Sequence, residues 1–414
     1  MIFMGMTFGL LPSCVNDDSD FSEYFKTHDT PGSSEETDDP GDSEEPESKD
    51  SIDIPEDSAD IVVLSDTLSL AIAWNGTTAT VTGETDNDSV AITVNNGDVI
   101  INSLITARYL EVTLSGETTD GSLLVYGGSP WGLILNGVSI TNADGPAINN
   151  QCGKWLYLTL ADGTENTLTD GTEYADAPVN TLGEAIDQKA ALFSEGQIGF
   201  KGNGSLTVTG NSHNGIASDD YIVIDDGNIT IKVAATGTNG VKVNDGMTIN
   251  GGTLAVDVKA AGARGIKNDS YMTINGGTTT INTSGKCKVE TTDGVKDTTS
   301  CAGIKCDSIF TMTGGQLTIK STGDGGKGIN SSQNVVFSGG TLNVTTTGTN
   351  NVSKPKGIKS ETGIIVSGGS FTVKVNKSWA CDNGSDSEDI KDMLTIKGTP
   401  TKKSLSKKSV QVIY

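Results

Sequence analysis

Residues 239–258, NGVKVNDGMTINGGTLAVDV, and residues 264–283, RGIKNDSYMTINGGTTTINT, decide the fold. Within each, aliphatic side chains recur at every second position over runs of a few residues. That is the period of a strand with one buried side. Glycines separate the runs, and the two stretches align residue for residue at a step of 25.

The same order extends from Asn214 to Lys377. Gly215, Gly240, Gly265, Gly303, Gly328 and Gly357 succeed one another at steps of 25, 25, 38, 25 and 29 residues. A second series, Gly227, Gly252, Gly277, Gly315, Gly340 and Gly369, trails the first by 12 residues each time. Directly after the first series stand Ile216, Val241, Ile266, Ile304, Ile329 and Ile358, and two further apolar pairs follow in each repeat. One repeat therefore carries three short strands separated by glycine bends, too little to bury its own apolar side. Stacked at the ~4.8 Å spacing of paired strands, like residues superpose in one continuous core. The expected fold is all-β, a right-handed parallel β-helix with about 25 residues and three short strands per turn, the handedness following from the crossover rule. A propeller blade would need four strands per repeat, and the leucine and asparagine ladder of a leucine-rich repeat is missing. The 13 extra residues between Gly265 and Gly303, around 287–299, read as a loop protruding from one turn.

The ends of the chain differ from this body. Met1 to Cys14, MIFMGMTFGLLPSC, is apolar and too short to span a bilayer. Its last four residues, Leu11-Pro12-Ser13-Cys14, resemble a bacterial lipobox, which implies a signal peptide (1–14) cut before an acylated Cys14. Residues 15–60 hold 18 acidic residues and two lysines, which accounts for −16 of the chain's −25. This segment reads as a disordered acidic tether. Asn16-Asp17-Asp18 resembles a signal for the outer face of the outer membrane, so a surface-exposed outer-membrane lipoprotein is expected. Residues 61–414 read as one β-helix domain, with 61–130 as N-terminal turns and cap, 131–392 as repeats and 393–414 as C-terminal cap. The body lacks the basic face that phosphate binding needs, which excludes nucleic acid as partner. The chain is expected to act as a monomer. Cys152, Cys287, Cys301, Cys306 and Cys381 show no zinc-ligand spacing, and Cys287–Cys301 or Cys301–Cys306 disulfides are both open to an exported chain.

Several phrases resemble the carbohydrate-binding β-helix proteins of anaerobic gut and cellulolytic bacteria, over about Ala71 to Val375. They include LNGVSI at 135–140, GPAI at 145–148, LADGTEN at 160–166, LTDG at 168–171 and NGIASDD at 214–220. The resemblance implies a β-helix similar to that of pectate lyases, bound Ca²⁺, and affinity for acidic, polygalacturonate-like sugars, with binding rather than cleavage. In that family an acidic residue often precedes the Gly-Ile of each turn. Here that position holds Asn214, Asn239, Arg264, Ala302, Lys327 and Lys356, and only Asp293-Gly294-Val295-Lys296 keeps the pattern.

Two residues after the first glycine series, on the outward side, stand Ala217, Lys242, Lys267, Lys305, Asn330 and Lys359. Two further on stand Asp219, Asn244, Asp269, Asp307, Ser332 and Glu361. A functional interpretation has Lys242, Lys267, Lys305, Lys359 and Arg264 engaging uronate carboxylates, while Asp219, Asp220, Asp245, Asp269, Asp293 and Asp307 offer hard oxygens to calcium. A plainer interpretation has the lysines and acids simply pairing across turns. The loop acids Asp297, Asp324, Asp382, Asp386, Glu388 and Asp389 are further oxygen donors. Trp74, Trp131, Trp155 and Trp379 could stack on sugars, although with so few aromatics packing at turns and caps is the default. The expected function is non-catalytic binding of acidic polysaccharide. The alternatives are a lyase with Ca²⁺ and Lys267 or Lys305 as base, and an adhesive surface protein without a sugar site.

Overall fold

The structure is a computed structural model, which describes residues 66–85, 89–180, 183–292 and 295–414. Cys14, the acidic segment 15–60 and Asp293 lie outside the described residues. Residues 61–414 cluster as one compact unit.

The chain winds as a right-handed parallel β-helix of about 11 turns. Three faces run along it. The first stacks, among others, Asn214–Ser218, Val241–Val243, Arg264–Asn268, Ala302–Cys306, Lys327–Ser331 and Lys356–Lys359, all parallel. The second stacks Leu156–Leu160, Ile198–Lys201, Tyr221–Ile224, Gly246–Ile249, Tyr271–Ile274 and their successors. The third stacks Glu165–Thr169 through Asn228–Val233 to Ser370–Val375. The register superposes Ile216, Val241, Ile266, Ile304, Ile329 and Ile358, so the sequence columns are physical columns. Their side chains are buried, as are Phe310, Phe337 and Phe371 at the C-terminal end of the core. Removing such side chains from water is what one isolated turn cannot do and a stack can.

The two glycine series do different work, and only one makes bends. Gly315 of the second series has φ +69° and turns the corner between the second and third faces, a conformation that a Cβ penalises. Gly303 of the first series lies inside the strand Ala302–Cys306. A Cβ there would stand 2.3 Å from Ile319 Cγ2 on the third face, so its place is set by close packing across the core. The earliest turns also depart from three strands. Trp131–Thr141 spans both the second and third faces, pairing Leu133 with Leu158 and Ile140 with Leu168. In its neighbour Tyr109–Thr118 a register shift between Leu114 and Gly116 turns the corner, as a bulge does.

Both ends of the stack are closed by antiparallel strands. Thr78–Gly83 pairs with Thr67–Gly76 and Val90–Asn95 with Asp98–Ser103 at one end. At the other, Ser409–Ile413 runs antiparallel to Ser370–Val375 and pairs with Lys402–Ser406. The 13-residue insertion is a hairpin rather than a plain loop, Lys288–Thr292 against Val295–Thr299, which satisfies its own backbone groups. Cys152, Cys287, Cys301, Cys306 and Cys381 are all free, buried thiols. Cys287 and Cys301 donate to the carbonyls of Asp324 and Lys286 instead of bridging.

Candidate functional site on the first face

Strands of the first face carry their outward residues at the positions read as a lysine stripe beside an acidic one. The structure joins the stripes. Lys242 bonds Asp269 across one turn and Asn244 within its own. Lys267 reaches the other oxygen of Asp269 at 3.0 Å. Lys305 pairs with Asp307 and donates to Ser332 Oγ at 2.9 Å, and Lys359 pairs with Glu361 at 3.0 Å. Burial works against the Asp269 carboxylate, but hydrogen bonds and charge from Lys242 and Lys267 outweigh it and hold the group below the ordinary carboxylate range. All four stripe lysines thus have acidic partners, and Asp269 and Asp307 serve as those partners. Ala217, in the same outward column, is buried against Ala190 and Phe193.

Two cations on this face are different. Arg264, Ala302, Lys327 and Lys356 stack one above another at the position before the glycine. Lys356 pairs with Asp382. Arg264 donates from Nη1 to the Gly262 carbonyl at 2.8 Å, while its buried Nε has no hydrogen-bond partner among the described residues. Lys327 is 9 % exposed, and no described carboxylate pairs with it. Burial pushes its ammonium down to about 8, and Lys356, Lys359 and Arg264 add to the effect, against an opposing contribution from Cys287. Crowded, desolvated positive charge of this kind is what an incoming carboxylate relieves.

The acidic residues gather in earlier turns, Asp219 two turns and Glu195 three turns before Arg264. Asp187, Glu195 and Asp219 can bring one oxygen each to within 4.8 Å of one another. Lys189 bonds both Asp187 and Asp219. Burial raises the Glu195 carboxyl above its usual range, with Asp219 and Asp187 adding to the shift. Asp220 takes a hydrogen bond from Gln197 Nε2. Burial raises its carboxyl too, and its neighbour Asp245 one turn on strengthens the shift by charge and hydrogen bonding. The hard oxygens of Asp187, Glu195 and Asp219 fit a divalent cation, and Asp220 and Asp245 form a neighbouring carboxyl pair. Glu195 was legible in the sequence: the pairing of Ser194 with Ser218 puts it in the Asp219 column. Asp187 belongs to the irregular segment before Ala190–Ser194, where no column exists.

Three of the tryptophans pack at the caps or inside. Trp74 donates to the Gly97 carbonyl at 2.7 Å and Trp131 to Asn150 Oδ1 at 3.2 Å, both buried. Trp379 lies under the Lys407 ammonium, 4.0 Å from its ring centre. Trp155 is half-buried on the outer side of the second face, beside Tyr157. His213 stacks on Tyr174 at 4.1 Å, and burial lowers its pKa. The inward end of four first-face strands holds a polar residue the columns did not reveal. Ser218, Asn268, Ser331 and Ser360 donate to the backbone carbonyls of the corner that follows, at Tyr221, Tyr271, Asn334 and Gly363.

Fold and surface together define a β-helix of the carbohydrate-binding class. A family model described as "Carbohydrate-binding domain-containing protein" matches residues 95–269 and 257–348, more than half the chain, and the chain belongs to that family. A carbohydrate-binding domain-containing protein of Acetivibrio thermocellus is 34% identical over 154 residues, which cover 35% of this chain and 50% of the relative. The chain thus spans about half the length of that curated relative. Among solved structures, the polysaccharide lyase-like protein from C. thermocellum, a gadolinium derivative, is 27% identical with a TM-score of 0.51, covering 66% of this chain and 97% of its own.

Proposed function

We propose that the protein is a non-catalytic carbohydrate-binding protein that takes acidic, uronate-containing polysaccharide on its first face. The carrying observation is the pair Arg264 and Lys327, a buried guanidinium nitrogen and a desolvated ammonium, neither with a partner for that group among the described residues. Family membership supports sugar as the ligand, and the chemistry of the pair supports a carboxylate on it. Lys242, Lys267, Lys305 and Lys359 would then frame the site, their charge already met by acids. Ca²⁺ would be held by Asp187, Glu195 and Asp219, beside the Asp220–Asp245 pair, where it would neutralise carboxyl charge. The lipobox-like end supports display from the outer membrane through Cys14.

A second reading is a lyase. A lysine lowered to about 8 is well suited to act as a general base, and Lys327 has that property while Lys267 and Lys305 are ion-paired. Three turns of about 4.8 Å separate Lys327 from the acidic cluster's nearest turn, too far for an ion held there to acidify the proton that Lys327 would remove. Binding is therefore the better reading.

The test is titration of the full chain with oligogalacturonate in Ca²⁺ and in chelator, with ultraviolet detection of unsaturated uronate. Binding that Arg264→Ala with Lys327→Met weakens about ten-fold or more, without product, supports the assignment. Unsaturated product that Lys327→Met abolishes would replace it with the lyase. Absence of binding in either condition would leave an adhesive or structural role.

A further inference from the structure

The outward column that carries Lys242, Lys267, Lys305 and Lys359 is not basic throughout. Strand pairing continues it backward through Ala217, Phe193, Asn149, Leu124 and Ile100. Val99, Ile101, Leu123 and Val125 alternate with the last two and fill the core, so Ile100 and Leu124 stand on the outer side. Apolar side chains gathered on an outer surface call for a cover. Residues 172–180 and 183–189, which leave the solenoid between Glu165–Thr169 and Ala190–Ser194, supply it.

The cover is an arch fastened at both legs. At the first, the Tyr174 hydroxyl donates to Asp170 Oδ2 at 2.9 Å and the Ala175 N–H to the Asp144 carbonyl at 2.8 Å. At the second, the Asn149 and Gln151 amides donate to the Asp187 carbonyl at 2.9 and 3.1 Å, and Asn214 donates to the Lys189 carbonyl at 2.7 Å. Between the legs the chain doubles back, with the Ile186 N–H on the Pro178 carbonyl at 2.9 Å. Beside the second leg the cover fits closely: Phe193 is buried, with the Lys189 ammonium 5.4 Å from its ring centre. Over Ile100 and Leu124 it leaves a cavity of about 270 Å³. At roughly 30 Å³ per water, that is room for about nine waters or an organic molecule of about ten non-hydrogen atoms.

Ile100, Leu124, Pro146, Pro178 and Ile186 give the cavity an apolar interior, in which Leu124 and Ile186 are buried. Its polar edge is acidic. Asp98, Asp144 and Asp176 line it, and among the described residues no Lys, Arg or His does. Asp98 accepts from the Ser122 hydroxyl at 2.7 Å, and Lys189, the cation of the arch, is committed to Asp187 and Asp219. The buried amides are committed too, Asn142 to the Pro146 carbonyl and Asn149 to that of Asp187. Negative charge thus surrounds the mouth of a space whose floor is hydrocarbon. An anion is repelled there, a metal ion gains nothing from the floor, and a neutral molecule leaves the carboxylates unanswered. We propose that the cavity binds a small amphipathic organic cation, its apolar body on Ile100 and Leu124 and its ammonium at the edge formed by Asp98, Asp144 and Asp176. The site uses none of the first-face cations, so it stands apart from the acidic-sugar reading.

The experiment titrates the full chain at pH 7 with 3-phenylpropylammonium, 3-phenylpropanol and 3-phenylpropanoate, following heat of binding and melting temperature. These probes share one apolar body and differ in the charge of the head. The ammonium should bind about ten-fold or more tightly than the alcohol, and the carboxylate should not bind. Asp144→Asn with Asp176→Asn, both on the exposed edge, should bring the ammonium down to the affinity of the alcohol and leave the alcohol unchanged. Ile100→Ser should weaken ammonium and alcohol alike, by about five-fold. An unchanged unfolding midpoint of the unliganded aspartate variant confirms that the arch is intact. No binding of the ammonium by the wild type, equal affinity for the three heads, or full ammonium affinity in the aspartate variant would overturn the proposal.

Discussion

Replacing Lys327 with methionine should stabilise the protein at neutral pH and weaken its affinity for acidic sugar. The side chain is 9 % exposed and its ammonium is pushed down to about 8 from the ordinary lysine value of 10.5. At about 1.4 kcal/mol per pH unit, roughly 3 kcal/mol separates the charged and neutral forms in the fold. Relaxation of the long stem toward water should reduce the observable effect to about 1–2 kcal/mol. Because folding depresses the pKa, the unfolded chain binds more protons between about pH 8 and 10.5. Wild-type stability should therefore gain from this group as pH rises through that window, and the penalty is fully present below about 8. Urea unfolding at pH 7 and at pH 10 reads the difference. Lys327→Met should show a higher midpoint than wild type at pH 7 and a much smaller advantage at pH 10. An equal or lower midpoint at pH 7, or an advantage independent of pH, would show that the ammonium is not under strain and would remove the argument for an anion site there.

Other consequences are open to direct measurement. Gly303→Ala places a Cβ 2.3 Å from Ile319 Cγ2 and should destabilise by about 1–3 kcal/mol; Ile319→Ala introduced with it should cost less than the sum of the two single changes in thermal unfolding. In chelator, Asp220 and Glu195, both raised, should contribute stability as pH falls from neutral toward their raised pKa values and lose it as pH rises. Millimolar Ca²⁺ should raise the wild-type melting temperature at neutral pH, and Glu195→Gln should abolish that increase. A thiol reagent should leave the five described cysteines unmodified in the native protein and modify them all in denaturant, since all are buried and none is bridged. A native reaction at Cys287 or Cys301 would mean that the hairpin insertion opens.

The columns of Ile216 and its successors were readable because a strand period of two and a fixed repeat constrain the same residues. The packing role of Gly303 was not, since the sequence places Ile319 sixteen residues away and only the closed cross-section brings the two together. On the surface, sequence spacing found Lys242, Lys267, Lys305 and Lys359 but could not tell whether their charge was free, because side-chain pairing with Asp269, Asp307 and Glu361 is decided in space. Lys327 had been visible as a departure from an acidic pattern, and its meaning lay in burial. The outward alignment of Trp155, Tyr221 and Tyr271 escaped because these residues are spaced irregularly along the chain and only strand pairing brings them into one column.

The central claim is that the first face meets acidic sugar through Arg264 and Lys327, and mass-spectrometric acetylation of the full chain at pH 8 tests it most directly. Near its lowered pKa, Lys327 should label once the face is open to reagent. Saturating oligogalacturonate should protect Lys327 and Lys356, while Lys232 and Lys374 on the third face keep their rates. Unchanged labelling of Lys327 at saturation, or protection confined to the third face, would contradict the account.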